Sequence, residues 1–359
     1  MQTILSVVGA RPNFMKLAPL DRVLRAREGI RHVVVHTGQH YDLAMSDAFF
    51  QDLGIPEPEY NLDVGSSSHA QQTAGIMQRF EPIAIAERPD LVLVYGDVNS
   101  TIAAALVAAK LGVKVGHVEA GLRSGDWTMP EEINRIVTDR LSQLLFTPSR
   151  DADENLRAEG VPSERIHLVG NTMIDSLVRM LPRALDLGAP GRHGVRPRDY
   201  AVVTLHRPSN VDDRETLVEL VAGLEEVSAR GPVLFLMHPR TRRRMDDFGL
   251  TGGRANGLRL MAPVRYIEML GLVANAALVI TDSGGVQEET SYLGIPCLTA
   301  RPNTERPITL RLGTNRLVEA RCSAIVSAAL HAWGQVGPRG NIELWDGQAA
   351  LRIAEIVCR

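Results

Sequence analysis

Short apolar runs alternate with longer stretches of helical periodicity along most of this chain. The runs at residues 4–8 and 276–280 are rich in Val, Ile and Leu, which is typical of strands buried on both faces. Behind the first run, Phe14, Leu17 and Leu20 recur at the spacing of one helix face. Strands that alternate with helices predict a doubly wound parallel sheet.

The alternation occurs twice, which predicts an α/β protein of two Rossmann-like domains facing a cleft. The first series ends in a helix that leaves the domain, and residues 188–199 have the Pro, Gly and Arg content of a linker. A last amphipathic helix, at 347–357, is expected to pack back on the first domain. The predicted boundaries are 1–171 for the N-terminal domain, 172–198 for the connecting helix and linker, 199–345 for the C-terminal domain and 346–359 for the last helix.

Composition and charge narrow the classes of function. The chain has 359 residues, of which 45% are hydrophobic, so it can bury the cores of two domains. A net charge of −3 without a basic tail argues against nucleic acid as a partner. Cys297, Cys322 and Cys358 are too far apart to predict disulfides or a zinc site. Without a signal peptide or an apolar run of ~20 residues, we expect a soluble cytoplasmic protein that contacts no membrane.

The stretch at residues 281–289 carries the first candidate chemistry. Ser283, Gly284 and Gly285 lie on a predicted strand-to-helix turn, where free backbone N–H groups and the helix dipole favour an anion such as a diphosphate. Glu289 follows one helical turn later, where its carboxylate can accept both hydroxyls of a ribose. For this motif alone, an ordinary turn with Asp282 or Ser283 as the N-cap is the favoured alternative. Other parts of the sequence reverse that preference.

Two cations follow the first strand, at the sheet edge where open α/β sheets bind ligands. Arg11 and Lys16 occupy a predicted loop that lacks the Gly-x-Gly-x-x-Gly pattern of a dinucleotide site. The alternative is a pair of solvated surface cations, and for Lys16 the two interpretations are equally favoured. No nicotinamide cofactor is predicted.

Several acids stand at the ends of predicted strands or the start of a helix. Asp97 ends one strand, although it could simply cap the following helix. Glu119 ends another, and burying an unpaired carboxylate there would be costly. Glu131 and Glu132 lie in the first turn of a helix, and we assign the role of helix-dipole complement to Glu132.

The second series adds a histidine and an arginine. His206 ends its first strand, and a functional role is favoured over a structural one because ligands dock at such strand ends. Arg306 lies close behind the glycine turn and the expected phosphates. A nucleotide-diphospho-sugar held between the domains would place its sugar against several carboxylates. No metal-ligand spacing accompanies these residues.

These motifs, in this order, resemble the non-hydrolysing UDP-N-acetylglucosamine 2-epimerases. The segments that carry the resemblance are 8–12, 96–97, 117–123, 130–135, 170–172, 282–289 and 304–307. The resemblance implies a GT-B fold, a homodimer, no cofactor, and interconversion of UDP-GlcNAc and UDP-ManNAc by anti elimination of UDP and its re-addition. It implies catalysis by Asp97, Glu119, Glu131 and His206. It implies substrate binding by Arg11, Lys16, Arg135, Ser283, Gly284, Gly285, Glu289 and Arg306.

Departures from the family pattern leave the sugar open. The loop 126–130 is shorter than in the best-known bacterial members, and Ile308 stands where they carry glutamate. Some relatives act on UDP-2,3-diacetamido-glucuronate instead. A GT-B glycosyltransferase, a hydrolysing epimerase and a nucleotide-sugar sensor are the rival interpretations. Three acids in the first domain argue against the glycosyltransferase and the sensor, and a hydrolysing epimerase would differ by releasing free ManNAc and UDP.

A second set of residues concerns regulation. Many bacterial relatives need a second UDP-GlcNAc beside the substrate, and Gln39, Arg207 and His238 match groups that hold it. Tyr41 and Asp42 replace the arginine and the Gln or Glu that usually follow. An acid near a diphosphate is repulsive, so we expect epimerisation of UDP-ManNAc without added UDP-GlcNAc.

Overall fold

Strand and helix boundaries follow from a computed structural model that describes residues 1–39, 52–250, 257–337, 339 and 341–358. The chain divides into two compact units, Met1–Arg179 with Glu343–Arg359, and Met180–Ile342. The helix that contains this division, Thr172–Asp186, is continuous. Both units are α/β, as predicted.

The first unit alternates strands and helices in the described part of the chain. Its elements are β1 (Gln2–Val8), α1 (Arg11–Arg25), β2 (Ile30–His36), β3 (Tyr60–Asn61), α2 (His69–Glu87), β4 (Leu91–Tyr95), α3 (Asn99–Lys110), β5 (Lys114–Val118), α4 (Pro130–Leu141), β6 (Leu144–Thr147), α5 (Arg150–Ala158), a 3-10 turn (Ser163–Arg165), β7 (Ile166–Leu168) and α6 (Thr172–Asp186).

The second unit repeats the alternation. Its described elements are α7 (Ala189–Arg192), β8 (Ala201–Thr204), α8 (Pro208–Val211), α9 (Arg214–Val227), β9 (Val233–Leu236), α10 (Pro239–Asp247), β10 (Leu258–Met261), α11 (Tyr266–Ala274), β11 (Leu278–Thr281), α12 (Gly284–Leu293), β12 (Cys297–Ala300), α13 (Ile308–Arg311), β13 (Asn315–Val318) and α14 (Cys322–Ala332). The chain then returns to the first unit and ends in α15 (Ala349–Val357).

Strand order sets the position of each candidate site. The first sheet has the order β3-β2-β1-β4-β5-β6-β7 and the second β10-β9-β8-β11-β12-β13, with every pair parallel. The order reverses between β1 and β4, and again between β8 and β11. Ligands of open α/β sheets bind at the carboxyl ends of the strands at such switch points.

Burial of the strands explains why the apolar runs lack alternation. All five residues of β4 are buried, as are all four of β11, because helices cover both faces of each sheet. Separate apolar cores form in the two units, with Phe80 among the core residues of the first and Phe235 among those of the second. Each unit can therefore hold its own strand ends rigidly.

Two predicted segments differ from the structure, and one strand was not predicted. Helix α1 begins at Arg11, so the expected loop up to Lys16 is helical; Pro12 fits there because proline suits the first turn of a helix. The linker 188–199 contains the short helix α7, whose Ala189 and Pro190 are buried. The two-residue strand β3 carries too short a pattern to be recognised from the sequence.

None of the helices in the described part of the chain is both long and apolar enough to span a membrane.

Candidate active site

The first switch point carries a buried ion pair. Lys16 of α1 donates to the carboxylate of Glu119, which directly follows β5, and the two residues are only 4% and 7% exposed. A Cβ added to Gly96, at the end of β4, would lie 2.7 Å from the Lys16 Nζ and 3.2 Å from the Glu119 Oε2. The alternative of Lys16 as a solvated surface cation is therefore wrong. Glycine at 96 leaves room for the pair.

Asn13 ties the start of α1 to this strand end. Its Oδ1 accepts from the N–H groups of Gly9 at 3.2 Å and Ala10 at 3.1 Å, and its Nδ2 donates to the Tyr95 carbonyl at 2.9 Å. Arg11 begins the helix, and its side chain lies outside the part of the chain that the structure describes. The side-chain bonds of Asn13 thus satisfy backbone groups that the helix start would leave open.

Glu119 adopts a backbone conformation that side chains rarely take. Its φ is +77°, in the left-handed region, where a residue other than Gly costs of order 1–3 kcal/mol. The N–H groups of Glu119 and Ala120 both donate to the Phe146 carbonyl at 3.1 Å. These bonds and the Lys16 pair hold the carboxylate at the strand end in spite of the strain.

Asp97 pairs with Arg135 instead of capping a helix. Its Oδ2 lies 2.8 Å from the Arg135 Nη2, and Asn134 donates to the Asp97 carbonyl at 2.8 Å. Helix α3 has Val98 as its N-cap, with no side-chain cap bond, so the capping alternative for Asp97 is wrong. The Asp97 side chain is 24% exposed and can reach a ligand, while Arg135 is buried behind it.

The two acids at the start of α4 have different surroundings. Glu132 is 1% exposed and accepts from the Ser124 N–H at 3.0 Å and the Gly125 N–H at 2.8 Å, besides pairing with Arg135. It anchors the preceding loop, a larger role than the dipole complement that we predicted. Glu131 is partly exposed, which leaves its carboxyl accessible to a ligand.

At the second switch point, a buried carboxylate holds His206. Asp282 is fully buried, and its Oδ1 lies 2.8 Å from the His206 Nδ1. The backbone N–H groups of His206 and Arg207 and the Asn210 side chain also donate to it, at 2.9–3.0 Å to Oδ2. Burial alone would raise the pKa of Asp282, but these bonds, led by that from His206, lower it below the usual range. An ionised Asp282 accepts from Nδ1–H and leaves the Nε2 of His206 as its free ring nitrogen.

The glycine turn lies against Arg306. A Cβ on Gly284 would come within 2.4 Å of the Arg306 Nη1, so glycine is needed here to seat the guanidinium. Arg306 is 7% exposed and pairs with Glu288 at 2.8 Å and Glu305 at 2.7 Å. Ser283 is the N-cap of α12 without a side-chain cap bond. Arg306 thus packs against the turn and supports it.

Glu289 is buried one helical turn beyond the glycines. It is 3% exposed and accepts from the Tyr266 hydroxyl at 2.7 Å. Burial, with a smaller contribution from the charge of Glu288, raises the pKa of Glu289 to about 7. Ser283, Gly284 and Gly285, in contrast, are partly exposed at the turn.

The residues assigned to regulation have structural partners too. The Gln39 Oε1 accepts from the Ser100 N–H at 3.2 Å and its hydroxyl at 2.7 Å, so it caps α3. The rings of His206 and exposed His238 are 5.7 Å apart, and Arg207 donates to the Asp282 carbonyl at 3.1 Å. Tyr41 and Asp42 lie outside the described residues, so the expectation of activity without added UDP-GlcNAc stays a prediction.

Two partners escaped the sequence interpretation. Asp282 was considered only as a helix cap, although its place beside the glycine turn was visible; its contact with His206 was not. Tyr266 gave no signal of its contact with Glu289. Among the described residues, no group of three or more His, Cys, Asp or Glu side chains is arranged to hold a metal ion.

Comparison with known proteins bears on what these strand ends do. A family model described as UDP-N-acetylglucosamine 2-epimerase matches residues 22–358. The chain is 41% identical over 358 residues to the UDP-N-acetylglucosamine 2-epimerase homolog of Methanococcus maripaludis, and 40% identical over 360 residues to the UDP-2,3-diacetamido-2,3-dideoxy-D-glucuronate 2-epimerase of Pseudomonas aeruginosa, with 99% of each chain covered in both cases. It superposes on a crystal structure of the Methanocaldococcus jannaschii UDP-GlcNAc 2-epimerase in complex with UDP-GlcNAc and UDP, with a TM-score of 0.92, 39% identity and 99% of each chain covered.

Proposed function

This chain belongs to the UDP-N-acetylglucosamine 2-epimerase family, and on that premise we propose that it interconverts UDP-GlcNAc and UDP-ManNAc. The observation that carries the proposal is the pair of cation-bound carboxylates at one switch point, Asp97 with Arg135 and Glu119 with Lys16. Glu131 is partly exposed and is the third candidate acid of the first unit. We infer that it works as a homodimer, as the resemblance implies.

The first step is elimination of UDP. The C1–O bond breaks and its electron pair leaves with the UDP oxygen, which gives C1 oxocarbenium character and acidifies the C2 proton. A carboxylate takes that proton, the C2–H electrons form the C1=C2 bond, and 2-acetamidoglucal results. General-base catalysis of this kind contributes ~10²- to 10⁴-fold.

The second step returns UDP to the other epimer. A carboxyl group on the opposite face delivers a proton to C2, and the UDP oxygen attacks C1. Inversion therefore needs two acid–base groups, one on each face, and Asp97, Glu119 and Glu131 are the candidates. Arg135 holds Asp97 and Lys16 holds Glu119, so both carboxylates are fixed at the same switch point.

The second unit suits the leaving UDP. The first-turn N–H groups of α12 at Gly284 and Gly285 favour the diphosphate, as does its dipole. His206 is proposed to stabilise the charge that develops on the leaving oxygen. Glu289 would accept the ribose hydroxyls, and Arg306 would support the glycine turn.

Incubation with UDP-GlcNAc in D₂O, followed by proton NMR, tests the proposal. We expect UDP-ManNAc to appear while the C2 hydrogen is replaced by deuterium in both sugars. Epimerisation with the C2 hydrogen retained contradicts the elimination, and free ManNAc with UDP indicates hydrolysis. Glu119→Gln should slow the reaction by ~10²- to 10⁴-fold. Glu154→Gln, on the exposed side of α5, is the matched control and should not.

A second substrate is favoured by one observation. The Pseudomonas aeruginosa relative named for UDP-2,3-diacetamido-glucuronate is as similar to this chain as those named for UDP-GlcNAc. Both UDP-sugars should be assayed side by side, and the ratio of their kcat/KM values decides which one is the preferred substrate.

A further inference from the structure

A buried histidine stands where three elements of the first unit meet. His117 lies in β5, is 0% exposed, and has the apolar residues Val94 and Leu145 as its neighbours on the adjacent strands. Its Nδ1 is 2.6 Å from the Asp139 Oδ1 on α4, and its Nε2 is 2.7 Å from the Gly96 carbonyl oxygen at the end of β4. Both ring nitrogens thus face acceptors.

The partners decide where the protons are. A carbonyl oxygen only accepts, so Nε2 must carry a proton to bond to Gly96. The other oxygen of Asp139 accepts from the Gly121 N–H at 3.1 Å and from Arg123 at 2.8 Å. Both donors bind the charged form of the carboxyl group, and the nearby Arg123 cation favours that form. Asp139 is therefore ionised, and Nδ1 must donate as well.

A neutral ring would fit this place poorly. With one proton only, a bare nitrogen would face either the Gly96 oxygen or the Asp139 carboxylate, which leaves a buried acceptor without its donor. Such a loss costs about 1–3 kcal/mol, and more beside a charge. The other charged groups nearby are paired: Arg123 with Glu159 at 2.7 Å, and Lys16 with Glu119.

We propose that His117 is a permanently protonated imidazolium that positions the acids of the first switch point. Its bond to Gly96 fixes the residue before Asp97. Glu119 directly follows its strand, and Asp139 links it to α4, whose first turn contains Glu131. Only the function of these acids rests on the proposed reaction; the protonation of the ring does not. His117 is a positioning residue, because its ring is too deeply buried to touch a substrate.

NMR of the full chain with labelled histidine tests the protonation directly. Between about pH 6 and about pH 9, where a free imidazole loses its charge, one ring should keep the nitrogen shifts of an imidazolium. That signal is assigned by its absence from His117→Gln. The exposed ring of His331 provides a solvent-accessible histidine signal for comparison. A His117 ring that loses a proton in this range, or is neutral throughout, overturns the proposal.

Kinetics test the positioning. His117→Gln and Asp139→Asn should each lower kcat by ~10- to 100-fold, the cost of misplaced catalytic groups. KM and the dissociation constant for UDP should stay within ~2-fold, because binding energy common to ground and transition states is kept. His331→Gln is the control and should match the wild type. Folded variants with wild-type kcat, or with UDP affinity lowered as much as kcat, contradict the positioning role.

The two hypotheses fail separately. A wild-type protein that binds UDP but does not epimerise UDP-GlcNAc refutes the proposed function, whereas the protonation of His117 is still decided by the NMR titration. If His117→Gln does not fold, Asp139→Asn assigns the signal, because loss of the carboxylate changes only the shifts of its partner ring, and the Asp139→Asn kinetics decide the positioning role.

Discussion

Single buried charges, each held by a partner from another element, form both candidate sites. Lys16 and Glu119 come from a helix and a strand end, and Asp282 holds His206 across two neighbouring strands. Removing one partner of a buried pair leaves an uncompensated charge, which costs about 3–5 kcal/mol. Isosteric substitutions are therefore the informative ones at this scale.

Asp282→Asn should disturb the tautomer of His206. Five hydrogen-bond contacts reach the two carboxylate oxygens of Asp282. In the variant an amide nitrogen replaces one of these oxygens, and it must then face a donor N–H or the His206 Nδ1. We expect kcat for epimerisation to fall by ~10²- to 10⁴-fold, the usual contribution of an acid–base group, with UDP affinity little changed. Steady-state rates and calorimetry with UDP measure the two effects.

The matched control for this change is Asp213→Asn, since Asp213 caps α9 in the same unit and asparagine caps equally well. It should leave kcat unaltered. Wild-type turnover in Asp282→Asn would show that His206 does not depend on its buried partner.

On the proposed function, Glu289 should make UDP binding depend on pH. The pKa of Glu289 is about 7, so below that pH its carboxyl group is protonated in most molecules of the empty protein. The ribose hydroxyls cannot displace this proton. The binding form is the carboxylate, hence affinity should rise by up to ~10-fold per pH unit below the pKa and level off above it. Calorimetry from about pH 6 to about pH 8 should show this slope.

Glu289→Gln should bind UDP more weakly and lack this part of the slope. The terminal phosphate of UDP titrates equally with both proteins, so the difference between the two profiles isolates Glu289. Parallel profiles would assign the pH dependence to UDP alone.

At the scale of elements, the strand-to-helix turn before α12 packs closely against Arg306. Gly284→Ala would place a methyl group 2.4 Å from Nη1 and 2.8 Å from Cζ of Arg306, which two ion pairs hold in place. Overpacking of this kind costs about 1–3 kcal/mol. We expect urea unfolding of the second unit at lower concentration, together with weaker UDP binding.

Gly191→Ala in α7 is the matched control, because a Cβ there meets nothing within 4 Å. The cost of Gly284→Ala should shrink in an Arg306→Lys background, since lysine lacks the planar guanidinium. If the costs of Gly284→Ala and Arg306→Lys are fully additive, the strain does not come from the contact with Arg306.

At the scale of the whole molecule, the first unit is completed by the end of the chain. Asp175 of α6 accepts from the N–H groups of Ala349 at 3.1 Å and Ala350 at 2.8 Å, and so caps α15. Trp345 donates to the Pro148 carbonyl at 2.8 Å, and a Cβ on Gly170 would overlap the Leu344 carbonyl at 2.1 Å. The returning segment is thus part of the first unit's packing.

Asp175→Ala should loosen α15, because two first-turn N–H groups lose their acceptor. The free energy of unfolding of the first unit should fall by about 1 kcal/mol, the usual value of a helix cap. Hydrogen exchange of the amides in 349–357 should become faster. Asp186→Ala, at the exposed end of the same helix α6, is the control, and equal exchange in both variants would argue against the cap.

The sequence by itself determined the elements and the residue types at the strand ends. Apolar runs and helical spacing are local properties, because burial repeats along one element with its own period, so the two α/β units were predictable. The motifs that end β4, β5, β8 and β11 indicated which residue types would meet a ligand. Their order along the chain indicated the family.

Only the tertiary structure decided which of these residues are partners. Lys16 and Glu119 are 103 residues apart, and the His206 N–H and the Asp282 carboxylate 76; they meet because the strand orders bring β1 near β5 and β8 beside β11. No local pattern encodes such a pairing. Lys16, for which the sequence favoured surface and site equally, proved to be a buried partner. His117 lies in a segment that carries the resemblance but had no assigned role, and it proved to be the contact between three elements. Charge pairing depends on packing across the sheet, whereas periodicity depends only on burial along one element.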